Sequence, residues 1–280
     1  MKNVQTDRKR RSGKWRASPG VARLLWLTLL AALLVGGAVA PAADDELTFV
    51  QISDLHADDI HLKILGDFVK RINALPMPVA FVVVTGDIFK DNILEADITA
   101  RTRAALGRLT MPVHMLPGNH DIERDNLPAT LAAYTNNFGG LLATAVYHNV
   151  GCVFAYTEPL ARDFTCPGYD PLTAIGAALR ALAPRPILVF HHTPSVDDFY
   201  RDKVHPGWDR KAREDWTALL GANNVQAIIA GHFHRDELRW VGDIPLYIGQ
   251  PIALFWGRQP SFRIYTWRDG RMSYRTVYER

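Results

Sequence analysis

The chain has 280 residues, enough for one sizeable domain or two small ones, and 48% of them are apolar, the profile of a globular protein with its own core. Its formal charge of +3 is misleading. Residues 1–42 hold eight of the 32 Lys and Arg and one of the 29 acids, leaving 24 basic against 28 acidic residues in 43–280, a net of −4. A mildly acidic body gives no electrostatic basis for nucleic-acid binding.

The basic front runs into an apolar stretch, Leu24 to Val35, and then into small residues from Gly36 to Ala43. That order is the order of a secretory signal peptide, with cleavage expected after Ala42. The alternative is an uncleaved membrane anchor, since Leu24 to Ala43 is about long enough to span a bilayer. Either way residues 43–280 are expected to form a single domain working outside the cytoplasm, periplasmic or extracellular, with membrane association only through the leader.

Beyond the leader, short β-rich runs alternate with helical ones. Leu47–Ile52 reads as a strand and Leu62 to Ala74 as an amphipathic helix. Val79–Val84 is apolar and β-branched throughout, the mark of a strand buried on both faces. A helix over 95–109 and a strand over 113–116 follow. The segment 134–171 is irregular, with 145–150 and 151–157 as a possible strand pair. The rhythm resumes with a helix over 171–182, a strand over 187–190, a helix over 210–220 and a strand over 225–230. The tail reads as four consecutive antiparallel strands near 237–241, 244–249, 262–267 and 272–278. The expected fold class is α/β: a two-sheet αββα sandwich ending in an antiparallel β meander. Trp208, Trp216, Trp240, Trp256 and Trp267 are read as core or pocket wall. Cys152 and Cys166 stand alone, so they either pair in an oxidising compartment or stay as buried thiols.

Five strands run into clusters of Asp, His or Asn: Asp54 and His56; Gly86-Asp87; Gly118-Asn119-His120-Asp121; His191-His192 followed by Pro194; and Gly231-His232 with His234. Ligands of open α/β sheets bind outside the carboxyl ends of strands, so these clusters are expected to converge. Oxygen and imidazole donors without sulfur suit Mn, Fe or Zn. The i, i+2 spacing of Asp54/His56 and His232/His234 would aim both side chains of a pair the same way in extended backbone. The glycines permit tight turns. A lone histidine is usually an ordinary hydrogen-bonded residue, which is the expectation for His61, His114, His148 and His205; Asp121 reads as a capping or supporting residue.

The ordered series Asp-x-His, Gly-Asp, Gly-Asn-His-Asp, His-x-Pro and Gly-His-x-His over 54–234 resembles the calcineurin-like metallophosphoesterase superfamily. The resemblance implies a metal-dependent phosphoesterase acting on a small phosphate ester, phosphodiester favoured, by attack of a metal-bridging hydroxide. Asp54, His56, Asp87 and His234 would hold one of two metal ions, and Asp87, Asn119, His192 and His232 the other, with Asp87 shared. His192 is preferred to His191 because Pro194 follows it by two. His120 matches the family's general acid, oriented by either Asp91 or Asp54. Two divalent ions outweigh two carboxylates and a hydroxide, so the pocket would stay positive for a phosphoryl group.

Two departures narrow the family. Lys90 stands where purple acid phosphatases carry a tyrosine, and His56 where they carry a glycine. Gly86-Asp87-Ile88-Phe89-Lys90-Asp91-Asn92 also lacks the motif of Ser/Thr protein phosphatases. Small bacterial phosphodiesterases match best. The segment Ser195 to Arg201 is placed to overhang the pocket, and Arg124, Arg201 and Lys203 are possible contacts for a second phosphate. The competing expectation is a non-catalytic, metal-loaded binding scaffold on the same fold.

Overall fold

A computed structural model describes residues 46–205, 207–255 and 257–279. The leader over 1–42 and Trp256 lie outside the described residues. In chain order the elements are β1 (Leu47–Ile52), α1 (Asp59–Asn73), β2 (Phe81–Thr85), α2 (Ala96–Leu106), β3 (Val113–Leu116), α3 (Leu127–Phe138), β4 (Leu142–Tyr147), β5 (Val150–Ala155) and α4 (Glu158–Ala161). They continue with α5 (Pro171–Leu182), β6 (Ile187–Phe190), β7 (Asp198–Tyr200), β8 (Lys203–His205), α6 (Arg210–Gly221), β9 (Val225–Ala230), β10 (Glu237–Val241), β11 (Ile244–Ile248), β12 (Ser261–Arg268) and β13 (Arg271–Tyr278). Among the described residues no helix is long and apolar enough to cross a membrane.

Two main sheets form, ordered β13-β12-β1-β2-β3 and β10-β11-β9-β6-β5-β4. Strands β1, β2 and β3 run parallel, as do β5, β6, β9 and β11. Period-2 alternation then sorts their side chains into layers. Phe49, Phe81 and Val83 face Phe154, Phe190 and Ile229 in a core between the sheets. Val50, Ile52, Val82 and Val84 turn outward against Leu65 and Phe68 of α1 and Leu106 of α2. Val153, Val189 and Ile228 do the same against Leu179 of α5 and Trp216 of α6. The result is the expected αββα sandwich, with β1, β2 and β6 buried throughout and β3 buried only at Leu116.

The structure departs from the sequence pattern in three elements and at one tryptophan. Helix α1 starts earlier because Asp58 caps it, accepting the His61 N–H at 2.8 Å. Helix α3 lies in a stretch not read as helical; Pro128 sits in its first turn, where a missing N–H costs nothing. The tail is two hairpins on different sheets instead of one meander: β10–β11 joins β9, and β12–β13 joins β1. Of the two expectations for Cys152 and Cys166, the structure matches buried free thiols, one between the sheets and the other beneath the α1–α2 side. Trp208, Trp216 and Trp267 are buried, but Trp240 is 58% exposed on β10.

Phe49 is the centre of the inter-sheet core. It stacks on Phe81 at 5.0 Å and on Tyr265 at 4.9 Å, and meets Phe190 edge-on at 5.4 Å. Phe49→Ala leaves a cavity there, with an expected loss of about 3–5 kcal/mol in urea unfolding.

Candidate metal centre

The motif residues follow the strands but do not extend them. Asp54 (φ 51°), His56 (φ 44°), Asp87 (φ 49°), His232 (φ 69°) and His234 (φ 52°) all have left-handed backbone. The Asp54/His56 and His232/His234 pairs therefore converge through turns, not through the extended backbone that their spacing suggested. The turns hold one another. The Asp54 N–H donates to Gly86 O at 3.1 Å and the His56 N–H to Asp87 O at 2.9 Å. The His232 N–H reaches the Asp54 carboxylate at 3.1 Å, and the His120 N–H reaches Asp87 Oδ1 at 3.0 Å. Gly118 lies so close that a Cβ there would sit 2.2 Å from Asp87 Oδ1.

This packing brings six of the motif side chains together. Donor atoms of Asp54, His56, Asp87 and His234 lie within 4.8 Å of one another, and so do those of Asp87, His192 and His232. His234 Nε2 is 3.1 Å from Asp54 Oδ1 and 3.2 Å from His56 Nε2. His192 Nε2 is 3.1 Å from Asp87 Oδ2 and 3.2 Å from His232 Nδ1. Ligand atoms about 2.0–2.2 Å from a common ion stand roughly 3.0–3.5 Å apart, so these spacings fit two ions sharing Asp87. Asn119 Oδ1 supplies an independent sign: next in the chain to Gly118, which packs on Asp87, it is buried with no hydrogen-bond partner, as an oxygen meant for a cation would be.

The electrostatics agree with that fit. Burial would raise Asp54, but His234 at hydrogen-bond distance more than reverses it and holds the acid at about 2. Asp87 is likewise below the usual carboxylate range, burial being outweighed by His192. Burial pushes His56 down to about 4 and, helped by the charge of His192, His232 down to about 3. Burial also opposes charge on His192, yet Asp87 raises it to about 10. Two ionised, buried carboxylates set among imidazoles call for positive charge.

Of the adjacent histidines, the structure brings His192 to the cluster. Its Nδ1 meets Thr85 O at 2.8 Å, which leaves Nε2 for the cluster. His191 packs instead against Trp208 and Trp216. His120 pairs through Nδ1 with Asp91 Oδ1 at 2.8 Å, so its partner is Asp91 and not Asp54. Asp121 accepts the Phe89 and Gly118 N–H groups, each at 2.8 Å, and braces the two loops. His61 also braces, through His56 O at 2.9 Å and the Leu254 N–H at 3.1 Å. His114 stacks on Phe154, and His148 has left-handed backbone in the β4–β5 turn.

Beside His232 a cavity of about 670 Å³ opens, lined by Arg162, Arg201, Arg235, Arg258, Tyr200 and His205 among others. The segment after Ser195 does contribute to it, as the β7–β8 hairpin. Of the three basic residues suggested by sequence only Arg201 lines it; Arg162, Arg235 and Arg258 were missed, as was Phe255, whose ring lies 5.6 Å from His234. No motif spacing marks these residues.

The calcineurin-like phosphoesterase family profile matches residues 47–236, and the chain belongs to that family of metal-dependent hydrolases. It is 26% identical over 199 residues, 68% of this chain and 69% of the relative, to a probable cyclic nucleotide phosphodiesterase of Rhodopseudomonas palustris. Its fold is similar to that of a dimetal phosphatase from Danio rerio (TM-score 0.59, 16% identity, 83% of this chain and 98% of that one). It is also similar to GAP50, the anchor in the inner membrane complex of Plasmodium (TM-score 0.60, 15% identity, 83% and 84%).

Gly118→Ala is expected to abolish high-affinity Mn²⁺ binding in calorimetry, because the new methyl would also lie 2.5 Å from the Asp87 backbone nitrogen. Asp121→Ala strands two buried N–H groups, and about 1–3 kcal/mol of stability should disappear in the same protein's urea curve.

Proposed function

We propose that this protein hydrolyses a phosphodiester with His120 as general acid. Asp54, His56, Asp87 and His234 would hold one ion, and Asp87, Asn119, His192 and His232 the second. When bound, the ions supply positive charge for the phosphoryl oxygens and lower the pKa of an attacking water. The chain's own residues supply the rest. A bond forms from water oxygen to phosphorus, the bond to the leaving oxygen breaks, and His120 Nε2 delivers the proton that oxygen needs. Asp91 on Nδ1 fixes the ring's orientation and leaves Nε2 facing outward.

The observation that carries this proposal is the His120–Asp91 pair. The His120 ring stands 5.3 Å from that of His56, at the edge of the cluster. A scaffold that only stored metal would have no use for an oriented, exposed imidazole there, which favours catalysis over the binding-scaffold alternative. The diester preference draws support from the name of the Rhodopseudomonas relative. The leader over 1–42 is consistent with work outside the cytoplasm. Oxygen and imidazole donors suit Mn, Fe or Zn.

Hydrolysis of bis(p-nitrophenyl) phosphate should be stimulated by Mn²⁺ and abolished by chelation. His120→Ala should lower kcat by about 10²–10⁴-fold while bound metal, counted by elemental analysis, is unchanged. Asp91→Asn should cost roughly 10–100-fold, as outer partners of this kind do. Turnover that persists in chelator and in His120→Ala would overturn the proposal.

A further inference from the structure

The cavity beside His232 has a composition that hydrolysis of the ester bond does not require. Four arginines line it, and they differ in how they are neutralised. Arg162 is paired with the buried Glu158, and Arg235 with Asp198 and Glu237. Arg201 and Arg258 line the same cavity with no carboxylate partner among the described residues. Two uncompensated guanidiniums match the charge of one phosphate monoester, and their planar forks match its oxygens.

Two further features point to an occupant. Thr193 Oγ1 and His205 Nε2 are buried without a hydrogen-bond partner, and both residues line the cavity. Thr193 as a whole is only 8% exposed. Such atoms are normally satisfied, so a polar ligand group is expected against them. Arg201 and Asp202 are the two central residues of the β7–β8 turn, and both have positive φ (52° and 56°). Arg201 is not among the Asn, Asp and Gly residues that such a turn prefers, and strain kept at a position is a pointer to a role there.

The placement says which part of the substrate is involved. His120 contacts His56, whereas the cavity begins at His232 and Thr193, beside His192. His120, which gives the leaving group its proton, stands against His56 of one group of donors, whereas the cavity is lined by His232 of the other group and not by His120. We propose that the cavity binds the retained half of the substrate and that this half carries a second phosphate, held by Arg201 and Arg258. This rests on the phosphodiesterase function proposed above.

The test compares two chromogenic esters: thymidine 5′-(p-nitrophenyl phosphate) and the same compound bearing a 3′-phosphate. Both release p-nitrophenolate, and only the retained half differs. The 3′-phosphate should raise kcat/KM by about tenfold or more, mainly through KM, since charge-assisted hydrogen bonds are the strong ones. In the Arg201→Gln/Arg258→Gln double variant the ratio of the two kcat/KM values should fall to near one. An equal rate for both esters in the wild-type protein, or an advantage that survives in the variant, would overturn the proposal. Calorimetry with the product analogues separates it from the catalytic proposal. Thymidine 3′,5′-bisphosphate should bind at least about tenfold more tightly than thymidine 5′-monophosphate, and only with both arginines present. If that discrimination is seen while no ester is hydrolysed, the phosphate site stands and the phosphodiesterase function falls. If it is absent, the phosphate site falls whatever the hydrolysis result.

Discussion

Left-handed backbone at residues that must carry side chains is the constraint on which this structure turns. Asp54, His56, Asp87, His232 and His234 each hold a conformation that glycine adopts freely and other residues adopt at a cost of about 1–3 kcal/mol. Glycine cannot replace them, because it brings no donor atom. The strain must therefore be offset by the surroundings, and the backbone shows how. The parallel register that pairs Ile52 with Val84 continues above the sheet as hydrogen bonds from Asp54 to Gly86, from His56 to Asp87 and from Ala57 to Ile88. The loops behave as a twisted extension of the β1–β2 ladder. They inherit rigidity from the aromatic core below them.

Charge is handled by the same framework. A line of buried hydrogen bonds runs through the space between the sheets, and every donor points toward the cluster. Arg263 donates to Tyr265 Oη at 2.7 Å, and the Tyr265 hydroxyl to Gln51 Oε1 at 2.9 Å. Gln51 Nε2 donates to Thr85 Oγ1 at 2.9 Å, Thr85 to Ser53 Oγ at 2.8 Å, and Ser53 to Asp54 Oδ2 at 2.5 Å. Aligned dipoles in a low-dielectric interior reinforce one another, and the line ends on the Ser53 hydroxyl that donates to the Asp54 carboxylate. Gln51 also donates to Ala230 O at 2.8 Å, which ties the end of β9 to β1. Gln51, in the middle of the line, thereby links the two sheets beneath the cluster.

What the sequence revealed and what it hid divide along physical lines. The strands at 81–85 and 187–190 were legible because burial on both faces demands nearly unbroken apolar runs. The clustered aspartates and histidines were legible because metal sites accept few donor types, and those types recur at strand ends. The turn conformation was not legible: the i, i+2 spacing of Asp54 and His56 fits an extended strand as well as a left-handed turn. The choice of Asp91 over Asp54 as the partner of His120 likewise needed coordinates, since both acids precede it in the chain. Helix α3 was hidden because a first-turn proline has the same local signature as a helix breaker. The destination of the tail was hidden because a hairpin's sequence pattern is silent on which sheet edge it joins.

The cavity arginines were hidden for a different reason, one that bears on how members of this family diverge. Arg162, Arg201, Arg235 and Arg258 come from four separate segments, and no spacing rule links them. Their common ground is the β7–β8 hairpin, whose base is anchored. Asp197 accepts from Arg213 at 2.8 Å and from the Gly207 N–H at 3.2 Å, while its carbonyl accepts from Arg239 at 2.9 Å. Asp198 meanwhile holds Arg235 at the cavity wall. The hairpin is thus tied to α6 and β10 at one end and carries the exposed Arg201 at the other. Replacing residues at its tip changes the charge and shape of the cavity without touching a strand, a cluster ligand or the loops that strain them. A fold built this way can keep its metal centre fixed while its substrate changes, and similarity of fold to a phosphatase or to a membrane-complex anchor then carries no information about which ester is cut.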